Sequence, residues 1–144
     1  SLILNDNGIK PESVDFLSID VDGCDLEIFE EINFQPKVVL LEGGLHFKPE
    51  IEGRATAKVR NTFHHPLKEI INTAKHFEYV PVCFLHDLYL VRKDLSKQFN
   101  KFDVDQLYAD SYLGAPKWLR KKMDDAKTNK IIEKEQHRLL ANKR

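Results

Sequence analysis

Four acidic residues, Asp20, Asp22, Asp25 and Glu27, crowd the stretch VDFLSIDVDGCDLEIF, Val14 to Phe29, directly after an apolar run. A second apolar run, in QPKVVLLEGG, also ends on an acid, Glu42, followed by Gly43 and Gly44. Carboxylates gathered in one place can hold a divalent cation, take a proton from a substrate hydroxyl, or hydrogen-bond hydroxyl and ammonium groups. An acid at the last buried position of a strand needs a partner, so Asp20 reads as functional. Asp22 and Asp25 can instead cap the helix that follows, and capping is the expected role of Asp25, with Glu27 also serving that helix. His46, His64 and His65 fall in the segment after Glu42. Each is expected as a polar loop residue, with His46 retained as a candidate base.

These residues are positioned by elements legible from their patterning. Val14 to Ile19 has the length and flanks of a buried strand, and Leu26, Phe29 and Ile32 fall three apart on one face of a helix over about Leu26 to Ile32. Val38 to Leu41 is a second continuous apolar run. Such runs predict parallel strands covered by helices on both sides. Ligands of open α/β sheets bind at the carboxyl ends of parallel strands, which lie ~4.8 Å apart, so Asp20, Asp22 and Glu42 should converge there. The polar connection from Leu45 to His65 is long for a crossover and reads as an active-site or substrate loop.

HPLKEIINTAKHF predicts a helix with Pro66 in its first turn. Tyr79 to Leu85 and Leu88 to Val91, joined by His86-Asp87, predict an antiparallel hairpin whose first strand lies at or near a sheet edge, because Pro81 lacks an amide donor. Gly8 is expected to close an N-terminal helix, and Lys117 to Ala141 to form one or two helices.

At 144 residues, 42% apolar and 31% charged, the chain has the size and composition of one globular domain. It has no apolar run of the ~20 residues that a spanning helix needs and no charged-then-apolar leader, which predicts no membrane span and a cytoplasmic location. Cys24 and Cys83 lack a CxxC spacing and are expected reduced and packed. The chain opens on Ser1 without an initiator methionine, as a processed form or fragment would. Charge is uneven: residues 117 to 144 hold ten Lys or Arg against four Asp or Glu, a net of +6, leaving −7 for the rest. Such a tail is either a solvated helix face or a surface for nucleic acid or anionic membrane.

Three resemblances bear on the acids. D-x-D-G with Glu31 at the twelfth position imitates a calcium loop, but Gly23 stands fourth instead of sixth and a strand precedes it, which excludes that reading. SIDVDGCDL resembles the start of haloacid dehalogenase-like phosphatases, with Asp20 as nucleophile and Asp22 as acid/base. Against that, Cys24 replaces the threonine, no later strand ends in Ser or Thr, and DDAK lies in the polar tail. Taken together, VDFLSIDVDGCDLEIFEEI, PKVVLLE and PLKEIINTAKHFEYVPVCFLHDLYLVRKDL resemble the C-terminal half of FkbM-type S-adenosylmethionine-dependent methyltransferases, over roughly Val14 to Leu95.

That resemblance implies an α/β fold: part of a Rossmann-like sheet of order 3-2-1-4-5-7-6, with Val14 to Ile19 as the fourth strand, Val38 to Leu41 as the fifth and the hairpin as the sixth and seventh. Residues 1–95 would be the half-domain and 96–144 a loop and basic helical tail. The implied activity is methyl transfer to a small-molecule or sugar hydroxyl. Asp20 and Asp22 would face S-adenosylmethionine or the acceptor, Asp20, Asp22, Glu42 and His46 are the catalytic candidates, and a divalent metal is an optional addition. The family's Gly-rich turn does not occur here, so the donor site is expected to be incomplete. The uncovered edge of the fourth strand would invite self-association. The alternative is a noncatalytic module whose tail, Lys117 to Arg144, binds nucleic acid or a protein partner.

Overall fold

Two short parallel strands and an antiparallel hairpin build the central sheet. The computed structural model describes residues 4, 6–21, 23–44, 46–56, 58–59, 62–63, 65–114, 117 and 126–142. In chain order the elements are β1 (Phe16–Ile19), α1 (Asp25–Glu31), β2 (Val38–Glu42), β3 (Lys58–Val59), β4 (Thr62–Phe63), α2 (Leu67–His76), β5 (Tyr79–Phe84), β6 (Asp87–Arg92), α3 (Val104–Gly114) and α4 (Ala126–Ala141). Four strands form one mixed sheet of order β1-β2-β6-β5, and β3 and β4 form a separate ribbon. β1 and β2 are parallel, with Ile19 beside Leu41, and β6 is antiparallel to both of its neighbours. The α/β class and the closing hairpin agree with the sequence.

Local details follow from residue types. Pro81 sits in β5, the edge strand, where a missing amide donor costs least, and the register shifts between Pro81 and Cys83. The hairpin turns at Leu85-His86, one residue earlier than expected, because Asp87 already pairs with Glu42 through β6. Gly8 adopts φ 68°, the left-handed conformation of a helix-terminating residue, and the Ile9 amide donates to the Leu4 carbonyl. Cys24 is exposed and Cys83 half-buried, both free, so neither is packed as expected.

The main core lies on one side of the sheet. Ile19, Val39, Leu41, Leu88 and Leu90 meet Leu26 and Phe29 of α1, Leu67, Ile70, Ile71 and Ala74 of α2, and Leu107 of α3. Phe29 is wholly buried and stands edge-on to Phe77 and Tyr79, with ring centroids 5.3 and 5.7 Å away. Burial pushes the Tyr79 phenol up to about 12, and its hydroxyl donates to the Pro36 carbonyl at 2.7 Å.

The expectation of helices on both faces is not met among the described residues. β2 alternates half-buried and buried positions along its length, although all its side chains before Glu42 are apolar. The reason is topological. The crossovers from β1 to β2 and from β2 to β5 join parallel strands and step the same way along the sheet, and right-handed crossovers that step the same way place their helices on one side.

A second, smaller core joins the long connection to the tail. Phe47, Ile51 and Ala55 pack with Ile132 and Leu139 of α4, two positions one heptad apart on the helix. Glu135, 5% exposed, accepts from the Thr56 amide at 2.5 Å and pairs with Arg138 at 2.7 Å, while Arg138 donates to the Arg54 carbonyl at 2.8 Å. Trp118, Leu119 and Met123 lie outside the described residues. No described helix is long and apolar enough to cross a membrane.

Phe29→Ala removes the ring on which α1, Phe77 and Tyr79 converge. It should lower unfolding free energy by about 3–5 kcal/mol, read from urea denaturation.

Candidate functional site

The site is built at the carboxyl ends of β1 and β2. Asp20 directly follows Ile19 and Glu42 is the last residue of β2, so the Ile19–Leu41 register sets the two acids side by side. Beyond Asp20 the chain must reverse at once into α1. Gly23 makes that turn at φ 127°, in the region that favours glycine. Asp25, the first residue of α1, reaches back into the turn: its two carboxylate oxygens accept from the Val21 amide at 3.1 Å and the Gly23 amide at 3.0 Å. These bonds draw the helix start over the strand end. One oxygen from each of Asp20, Asp25 and Glu42 then lies within 4.8 Å of the other two.

The three differ in exposure. Asp20 is open to solvent, Glu42 half-buried and Asp25 buried. Hard cations bind oxygen ligands at ~2.0–2.6 Å, so oxygens up to ~5 Å apart can share one ion, and an all-carboxylate set suits magnesium or calcium. Carboxylates this close repel one another. A cation, an ammonium group or hydroxyl donors would relieve that repulsion, and the exposed Asp20 is the member best placed to take a proton from an incoming group.

This arrangement revises the reading of the acids. The N-cap of α1 is Cys24, which makes no side-chain cap bond, and Asp25 bonds backward into the turn instead of capping the helix. Asp25 therefore joins Asp20 and Glu42 as a site residue that sequence reasoning assigned elsewhere. Its spacing from the strand end fits either role, and only the turn geometry separates them. Asp22 lies outside the described residues, as does His64.

His46 is not a member of that three-acid group. It is half-buried and, with Lys48, lines a cleft of about 500 Å³ walled by Asn129, Ile132, Glu133 and His137 of α4. His65 is buried, with no open face toward a substrate. Its Nδ1 accepts from the Ala55 amide at 3.2 Å, so the ring proton resides on Nε2 and is donated to Glu27 at 2.9 Å.

Glu27 in turn meets Arg54, whose guanidinium reaches Glu27 at 3.4 Å, Glu30 at 2.5 Å and Glu69 at 3.3 Å. Burial pushes the Glu27 carboxyl up, but a backbone hydrogen bond, the His65 ring and Arg54 outweigh it and hold the group below its ordinary value. Arg54 thus ties the long connection to α1 and α2. No short-range pattern announces it, because its partners come from two separate helices. Gly44 has a packing role here: a Cβ would collide with the His65 carbonyl.

Two outcomes follow. The depressed Glu27 carboxyl stabilises the fold above the unfolded value of about 4.5 and ceases to do so as pH falls through its lower folded value. Glu27→Gln should therefore be less stable than the parent at neutral pH, with the difference vanishing under acid, in melts across pH 2 to 7. Gly44→Ala should separate the strand end from His65 and destabilise the fold by about 2 kcal/mol or more, read by thermal denaturation.

No protein-family model, no curated protein and no solved structure matches this chain.

Proposed function

We propose that this chain is the acidic half of an S-adenosylmethionine-dependent methyltransferase domain of the FkbM type, acting on the oxygen of a small-molecule or sugar hydroxyl. The observation that carries the reading is the pair of adjacent parallel strands ending on Asp20 and Glu42, with Asp25 folded back between them. Supporting it, the sheet order β1-β2-β6-β5 with an antiparallel final pair follows the 4-5-7-6 order that the sequence resemblance implies.

In the proposed reaction the acceptor oxygen attacks the methyl carbon in line, the sulfonium sulfur leaves with the bonding pair, and a carboxylate takes the hydroxyl proton. Asp20 is the proton acceptor. Asp25, held by two backbone amides, and Glu42, anchored on the sheet, orient the hydroxyl so that positioning supplies much of the rate. A divalent cation held by the same three residues would lower the pKa of the hydroxyl. The one glycine pair after a strand, Gly43-Gly44, follows β2, the fifth strand of the resemblance, instead of the first, so in this reading the donor is gripped by residues that this chain does not supply.

The phosphatase alternative needs Ser or Thr and a lysine at neighbouring strand ends, whereas β2 ends on Glu42 and β5 on Phe84. Of the basic tail, the described helix α4 packs its apolar face on the 47–55 connection, which ties it to the domain.

Calorimetry with S-adenosylhomocysteine tests the reading. The protein encoded by the complete reading frame should bind it, and this chain alone should not. Asp20→Asn in the complete protein should lower the methyl-transfer rate by about 10²-fold or more while leaving cofactor binding within a few fold. Absence of cofactor binding by the complete protein would discard the proposal.

A further inference from the structure

The backbone from Gly53 to Thr56 is fastened by side chains that come from elsewhere in the chain. The Gly53 amide donates to Glu69 of α2 at 3.0 Å, and the Arg54 carbonyl accepts from Arg138 of α4 at 2.8 Å. The Ala55 amide donates to His65 Nδ1 at 3.2 Å, and the Thr56 amide donates to Glu135 of α4 at 2.5 Å. All three amides thus end on an ionisable acceptor. These acceptors differ in what a proton does to them. A protonated carboxyl keeps a carbonyl oxygen that can still accept, whereas an imidazolium carries N–H at both nitrogens and accepts nothing. The His65 ring is buried and spanned, with the Ala55 amide at Nδ1 and Glu27 at Nε2.

We propose that His65 is an acid-operated latch on the connection that follows β2: the neutral ring holds Ala55, and the protonated ring releases it while staying on Glu27. Nε2 already carries the proton donated to Glu27, so an incoming proton goes to Nδ1. Two N–H groups then face each other across the former bond. Ala55 is buried as well, and a buried amide without an acceptor is costly, so the backbone there must shift to find water or another partner. Glu27 keeps its charge in mild acid because its carboxyl is held below its ordinary value, which preserves the ring's tie to α1.

The charged groups around the latch are Glu27 and Glu30 of α1, Glu69 of α2, and Arg54, which bridges all three, with Glu135 and Arg138 of α4 fastening the residues on either side of Ala55. Carboxylate and guanidinium groups ordinarily keep their charge down to about pH 5, whereas an imidazole ordinarily gains its second proton near pH ~6.5. Mild acid therefore addresses the ring. Ala55 belongs to the second core with Phe47, Ile51, Ile132 and Leu139, so its release loosens the seat of α4 and leaves the main core in place. The inference does not depend on the methyl-transfer reading.

Amide hydrogen exchange by NMR from about pH 7.5 to about pH 4.5, with the His65 ring titration followed in the same samples, tests it. The protection factor of the Ala55 amide should fall at least tenfold, in step with the protonation of His65, while the Val39 and Leu90 amides of the sheet keep theirs. His65→Gln supplies an acceptor and a donor that do not titrate, and should leave Ala55 protection level across the range. Ala55 protection that stays level through the His65 titration overturns the proposal, as does a His65 ring that remains neutral throughout. An equal loss at Val39 and Leu90 is global unfolding and overturns it too. So does a folded His65→Gln variant that still loses Ala55 protection in acid, because the release would then belong to Glu69 or Glu135.

Discussion

The parallel pairing of β1 with β2 is the constraint from which the rest of the molecule follows, because it fixes both where the acids end up and which side of the sheet is covered. With Ile19 beside Leu41, the next residue of one strand and the last of the other are acids at the same height. A parallel pair also demands a crossover. The crossover helix α1 must begin almost where β1 stops, which forces the tight turn at Gly23 and brings Asp25 back over the strand end.

The second consequence of that topology is asymmetry. Both crossovers step in one direction, so α1 and α2 share one side and bury Val39, Leu41, Leu88 and Leu90 beneath them. Among the described residues, Val38 and Leu40, which alternate with them in β2 and are as apolar, are only half-buried. Apolar residues on both faces of a strand require two covers, and the described chain supplies one.

The long connection after Glu42 is held in place by charge and by a small second core. Arg54 bridges carboxylates from α1 and α2, His65 braces Ala55 against Glu27, and α4 covers Phe47 and Ile51 while Glu135 meets the Thr56 amide. A segment with little periodicity thereby acquires a defined path. Its interactions are nearly all between residues distant in the chain, which is why composition alone reads it as a loop.

What the sequence determined by itself were the features that depend on neighbours in the chain: two apolar runs ending on Asp20 and Glu42, the Leu67–His76 helix, the hairpin and the edge position of the Pro81 strand. Periodicity, proline's missing donor and glycine's left-handed conformation act locally and leave marks that can be read without a fold. Tertiary structure alone decided that Asp25 joins the acidic group, that His65 is buried against Glu27 while His46 faces α4, and that α1 and α2 pack on the same face of the sheet. Those outcomes turn on strand register, the geometry of one turn and the direction of two crossovers, which are relations between segments that no single segment encodes.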